Sequence, residues 1–319
     1  MLEYLLLIIG FIFLIKGADL LVDGAVSVAD RMRIPSIVIG LTIVAFGTST
    51  PELIVNILAS AKGNTEIAIG NILGSNIANI LLILGISALI YPITTNKNTA
   101  LKEIPFSLLA ALVVAVFVNV PLINGSGYTG ITRSDGIILI FFFVIFLYYI
   151  FGIAKTTGEL PEEVNIKKMS LTKSILLIII GLLGLAIGGK WIVDGAVKIA
   201  LSLNVSESLI GLTIVAIGTS LPELATSAVA AYKKQSDIAI GNIVGSNIFN
   251  IFWVLGISSI IRPLPFKSSL NLDVLMTITS SLILFLFMFI GRKRTIERWQ
   301  GAAMLIIYAA YITFIAVRG

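Results

Sequence analysis

The sequence predicts an all-α integral membrane protein: ten transmembrane helices in two inverted five-helix repeats, with helices 2 and 7 broken in mid-membrane. Three observations carry this. First, the 319 residues are 57% hydrophobic and only 12% charged, whereas a soluble domain carries about 25% charged residues; mean hydropathy is +1.05. Second, the chain repeats itself. IGLTIVAFGTSTPEL at 39–53 returns as IGLTIVAIGTSLPEL at 210–224, and IAIGNILGSNIANI at 67–80 returns as IAIGNIVGSNIFNI at 238–251, both at an offset of 171. Third, each half holds an odd number of spans, so the halves enter the membrane from opposite sides and the repeat is inverted.

Apolar runs fall at roughly 3–29, 36–60, 67–90, 104–122, 136–153, 173–200, 207–231, 238–260, 270–291 and 299–317, near the ~20 residues a bilayer requires. The first run lacks the basic flank of a signal peptide and already contains the start of the repeat, so it reads as a true span. Residues 1–153 form the first repeat, 154–172 a hydrophilic cytoplasmic linker, and 173–319 the second repeat. In the linker Glu159, Glu162 and Glu163 stand among Lys155, Lys167 and Lys168, the composition of a solvated connection.

Loop charges set the orientation. With the N-terminus outside, 14 Lys and Arg fall inside (Arg31, Arg33, Lys97, Lys102, Lys155, Lys167, Lys168, Lys173, Lys233, Lys234, Arg292, Lys293, Arg294, Arg298) and 5 outside (Lys62, Arg133, Arg262, Lys267, Arg318). The positive-inside rule then places both termini outside. The first and sixth spans are long, share VDGAV (22–26 and 193–197) and carry Lys16, Asp19 and Asp23, or Lys190 and Asp194. Lys190 and Asp194, at i and i+4, are placed to pair with each other.

The chain contains neither Cys nor His. Disulfides, thiolate or imidazole metal sites and Ser–His or Cys–His nucleophiles are therefore excluded, and any metal handled must bind through oxygen. The net charge of +5 sits in loops between spans and does not mark a nucleic-acid surface. Nothing points to an enzyme, a cofactor or an obligate protein partner; the bilayer is the evident surrounding.

The chemistry concentrates at the breaks. In the second span Gly47-Thr48-Ser49-Thr50-Pro51-Glu52 interrupts the apolar run, and Gly218, Thr219, Ser220, Pro222 and Glu223 repeat it in the seventh. Pro lacks an N–H and Gly weakens a helix, so carbonyls around Ala45, Phe46, Gly47 and Thr48 are expected to be freed. Such carbonyls persist in a membrane only where they line a cavity or coordinate something. Inversion brings the two breaks together near the midplane. Ser75 with Asn79, and Ser246 with Asn250, lie at i and i+4 and so share one helix face each. Gly70 and Gly74, and Gly241 and Gly245, make small-residue faces that allow close helix approach.

The inventory is two carboxylates, hydroxyls, amides and backbone carbonyls, all oxygen donors for hard cations. Two carboxylates ~5 Å apart repel by roughly 3 kcal/mol at an effective dielectric of 20, which bound cations relieve. One Ca2+ or two or more Na+ satisfy the same charge, and competition for shared carboxylates is the physical basis of obligatory exchange.

These motifs resemble the α-repeats of the cation/calcium exchanger superfamily, the sodium/calcium exchanger branch in particular. The resemblance implies secondary antiport of Na+ against Ca2+ by alternating access, electrogenic, in the cytoplasmic membrane of a prokaryote. It further implies that Glu52 and Glu223 bind Ca2+ with the carbonyls of Thr48 and Thr219. An inner Na+ site would use the Ala45 carbonyl, Thr48, Ser75 and Ser220; an outer one the Ala216 carbonyl, Thr219, Ser246 and Ser49. Asn79 and Asn250 would border the centre, and the long first and sixth spans resemble the family's sliding gate helices. Gly-Thr-Ser at both breaks, in place of the Gly-Asn-x-x-Glu of proton-coupled relatives, favours Na+ coupling. Asn at 250, where potassium-dependent relatives carry Asp, argues against K+ co-transport. The linker is too short for the calcium-sensing domains of animal exchangers.

The nearest alternative is Ca2+/H+ exchange on the same scaffold, since both glutamates can take protons; a Na+ requirement separates the two. A Glu-lined channel is a different class, but filters are built from rings of equivalent subunits and an inverted repeat points to alternating access.

Overall fold

A computed structural model describes residues 2–120, 125, 128–155, 169–202 and 216–318. The start of the seventh span, 207–215, and most of the linker lie outside these residues.

The first helix, α1, runs unbroken over Leu2–Met32. After the Pro35 turn come α2, Ser36–Thr48, and α3, Thr50–Lys62, bent by 46° at their junction. The next helix, α4, continues from 65 to 90, and α5 covers Thr99–Val118. Beyond a loop, α6 spans Arg133–Lys155 and α7 spans Leu171–Ser202. The described part of the second break consists of α8, Ala216–Thr219, and α9, Leu221–Tyr232. Three helices follow: α10 Ser236–Ile261, α11 Asn271–Phe287 and α12 Arg298–Arg318. Among the described residues six helices pass individually as membrane spans on length and hydropathy, and the bent α2–α3 pair makes a seventh.

Two short antiparallel ladders tie the connecting segments into two sets. Ile93–Thr94 (β1) pairs with Thr295–Ile296 (β4), and Gly130–Ile131 (β2) pairs with Leu264–Pro265 (β3). The ammonium of Lys234 lies 5.8 Å from the ring of Tyr91 in the first set, and the guanidinium of Arg262 covers Gly63 in the second. The segments that the loop charges assign to one side of a membrane are therefore the segments that touch.

Small residues decide which helices come close. The antiparallel pair α1 and α7 meets through glycine: a Cβ added to Gly17 would stand 2.8 Å from the carbonyl oxygen of Gly181, and one on Gly24 would stand 2.7 Å from that of Ser174. Gly241 and Gly245 of α10 press on the backbone of Gly40 and Leu41, as the small-residue reading expects; the 171-residue mates of Gly40 and Leu41 lie outside the described residues. Without a hydrophobic drive between helices in lipid, such close packing is what associates them. Aromatic side chains continue the packing along α10: Phe249 meets Phe46 of α2 edge-on at 4.9 Å, and Phe252 stacks on Phe142 of α6 at 5.3 Å.

The pairing expected between Lys190 and Asp194 does not form. Both are exposed, and no ion pair joins them. Lys233 instead takes both Asp19 and Asp23.

Candidate functional site

Both breaks have the same backbone. Ser49 (φ −84°, ψ 8°) and Ser220 (φ −89°, ψ 4°) leave the helical region, and each is followed by a helix with Pro in its first turn. Proline's fixed φ suits a helix start and its missing N–H costs nothing there. Glu52 and Glu223 fall in these same first turns, where the helix dipole favours negative charge.

One expectation is corrected. The Ala45 carbonyl is not freed by the break: it accepts the Ser49 N–H at 3.0 Å and lies 3.3 Å from the Thr48 hydroxyl. The Phe46 carbonyl accepts the Thr50 hydroxyl at 2.9 Å. The helix keeps its bonds up to Ser49 because Pro51 can delete only the N–H one turn after Gly47. Ala216 opens the described part of α8, 171 residues after Ala45.

Each glutamate is held by the other half of the chain. The Ser49 hydroxyl donates to Glu223 Oε1 at 2.7 Å, and Ser246 Oγ lies 3.4 Å from the same oxygen. Ser220 Oγ lies 3.4 Å from Glu52 Oε1 and 3.3 Å from Ser75 Oγ. Thr48 donates to Asn242 Oδ1 at 3.0 Å, and Thr219 donates to Asn71 Oδ1 at 3.4 Å. Glu52 and Glu223 are within electrostatic reach of each other. Every one of these side chains is buried except Thr219 and Asn71, which are half-buried.

Asn79 and Asn250 each open a π-helical turn, Asn79–Leu84 and Asn250–Leu255. Such turns recur at functional sites because they re-aim one side chain inside a helix. Asn79 Nδ2 donates to Asn247 Oδ1 at 2.9 Å, and Asn250 Nδ2 donates to Asn76 Oδ1 at 3.1 Å. Asn76 and Asn247 each donate to the other's carbonyl, at 3.2 and 3.3 Å. The sequence reading passed over Asn71, Asn76, Asn242 and Asn247; their signal is that both copies carry Asn at these places in an apolar run.

What the mesh leaves over is one donor, Asn71 Nδ2, and a set of acceptor oxygens. Glu52 Oε2, Glu223 Oε2, Asn79 Oδ1 and Asn250 Oδ1 are all buried without a hydrogen-bond partner. Buried polar atoms are almost always satisfied, and unpaired carboxylate oxygens demand a cation or a proton. Among the described residues no three acidic side chains gather into a metal cage; the charge of this site is two.

The duplicated mesh has counterparts in known proteins. Residues 2–152 and 173–317 match the model of the sodium/calcium exchanger protein family. The chain belongs to this family. A sodium/calcium exchanger, MaX1, of Methanosarcina acetivorans is 32% identical over 344 residues, covering 97% of each chain. An uncharacterized membrane protein of Methanocaldococcus jannaschii is 38% identical over 301 residues, 94% of each chain. The structure of the sodium-calcium exchanger NCX_Mj soaked with 2.5 mM Na+ and 0.1 mM Ca2+ superposes with a TM-score of 0.84 at 36% identity, covering 98% of both chains. As a member of this family the chain is a multi-pass membrane antiporter of Ca2+ against a cation, not an enzyme. The family moves Na+ and Ca2+ and uses no cofactor.

Proposed function

We propose that the chain exchanges Na+ for Ca2+ across the cytoplasmic membrane, electrogenically, with both termini outside and the 154–172 linker in the cytoplasm. The single observation that supports this best is the set of four unpartnered buried acceptors, two carboxylate and two amide. In this reading Glu52 Oε2 and Glu223 Oε2 hold Ca2+ between them, aided by the carbonyls of Thr48 and Thr219. The two serine groupings supply flanking Na+ sites: Ser75 and Ser220 beside Glu52, with Thr48 and the Ala45 carbonyl, and Ser49 and Ser246 beside Glu223, with Thr219 and the Ala216 carbonyl. Asn79 and Asn250 border the central position. The architecture behind it is ten spans in two inverted repeats, 1–153 and 173–319, whose reciprocal hydrogen bonds at an offset of 171 are what such a two-fold axis produces.

The test is radiolabelled Ca2+ uptake into proteoliposomes loaded with Na+, against matched vesicles holding only a proton gradient. Uptake driven by outward Na+ alone is expected. Uptake driven by the proton gradient alone would move the chain to Ca2+/H+ exchange with the same glutamates.

Asn250 gives a finer test. Asn250→Asp adds a third carboxylate to a site that has two, so transport is expected to persist with a Na+ dependence or pH dependence shifted by roughly 100-fold in concentration, the scale of the ~3 kcal/mol that one charge ~5 Å away exerts at an effective dielectric of 20. Flux profiles superimposable on wild type would remove Asn250 from the site.

A further inference from the structure

Charge breaks the 171-residue repeat at several positions, among them Asp19 against Lys190. The turn after α3 and the turn after α9 are built alike: Asn64 N–H bonds to the Ala59 carbonyl at 2.8 Å, and Gln235 N–H bonds to the Ala230 carbonyl at 2.8 Å. Each turn starts with a lysine, Lys62 and Lys233. The first span packs on the turn after α9, and its residues there differ from their mates in the sixth span. Asp19 and Asp23 of α1 correspond to Lys190 and Asp194 of α7.

The consequence is one-sided. Lys233 Nζ lies 2.6 Å from Asp19 Oδ1 and 2.5 Å from Asp23 Oδ1, and also reaches the Asp19 carbonyl at 3.1 Å. The side chains are 23%, 41% and 33% exposed in that order, so the clasp is partly withdrawn from water. On the opposite face Lys62 and Asp194 are both exposed and no ion pair joins them. Lys190 there adds a like charge where the first face has a carboxylate.

From this asymmetry we infer that Lys233 is a positioning residue that holds the Asp19–Asp23 segment of α1 against the end of α9, biasing the exchanger toward the state closed on the Lys233 face. The inference rests on the alternating-access reading above. Opening the Lys233 face has to break two carboxylate contacts to α9, the helix that carries Glu223. Among the described residues no such contact holds the other face. Loop charges put Lys233 inside, so the favoured state faces outward.

The test uses the full chain in right-side-out and inside-out membrane vesicles, with apparent Ca2+ affinity read from each face. Apparent affinity scales with the population of the competent state, so loosening the clasp must move the two faces in opposite directions. Lys233→Gln is expected to strengthen Ca2+ affinity at the inner face by about 3- to 10-fold and weaken it at the outer face. The double variant Asp19→Asn/Asp23→Asn is expected to do the same, which guards against a folding defect in one variant, and Lys233→Arg is expected to match wild type. Unchanged affinities, or shifts in the same direction on both faces, overturn the inference. A wild-type chain without Ca2+ counter-transport would instead sink the exchange reading beneath it.

Discussion

Glu52→Gln and Glu223→Gln are each expected to reduce Ca2+ transport by about 100-fold or more. Both carboxylates are buried, and each is left with one unpartnered oxygen while the other oxygen is held by serines. Glutamine keeps the shape and can keep the serine bond, since its amide oxygen still accepts. It loses the charge. Leaving a divalent cation buried with one carboxylate in place of two has the cost of breaking a buried ion pair, about 3–5 kcal/mol, which is a factor of roughly 150 to several thousand in binding. Radiolabelled Ca2+ uptake in proteoliposomes measures this, with protein amount normalised by immunoblot. The variants are also expected to remain folded, because replacing a paired carboxylate by an amide removes desolvation cost as well as attraction. Uptake at wild-type rates in either variant would refute the assignment of that glutamate.

The glutamates were readable from sequence because an intramembrane carboxylate is expensive and two at a fixed offset are more so. The broken helices were readable for a similar reason: Gly-Thr-Ser and Pro-Glu carry their backbone consequences with them. Asn76 and Asn247 were not, because each is satisfied by the other's carbonyl, and that reciprocity exists only once the two halves are docked. The Ala45 carbonyl stays hydrogen-bonded for a local reason. A proline deletes the bond one turn back, not all the bonds around it, and Ser49 N–H still reaches Ala45. The Lys233 clasp is not legible in the sequence, which shows which residues differ between the copies, here Asp19 against Lys190, but not which turn stands opposite them.

Gly181→Val is expected to separate α1 from α7 and cost the protein both its thermal stability and its transport. Glycines recur every seven residues on both helices, at 10, 17 and 24 and at 181, 188 and 195, the spacing that keeps one stripe facing a partner helix along its length. A Cβ at Gly181 would sit 2.7 Å from the Gly17 carbonyl oxygen and 2.7 Å from the Leu21 nitrogen. Those are backbone atoms, so no rotamer change relieves the clash; the helices must move apart and lose the neighbouring contacts, including that of Gly188 with the Gly10 carbonyl. Overpacking of this kind costs about 1–3 kcal/mol, and a chain of this size then melts about 2–5 °C lower. Size-exclusion fluorescence after heating in detergent gives the melting shift, and Ca2+ uptake gives the functional loss. Gly152→Val is the control: Gly152 is exposed on α6, with nothing within 4 Å of an added Cβ, and is expected to leave both unchanged. If Gly181→Val melted and transported like wild type, the two helices would have to pack through some surface other than this glycine stripe.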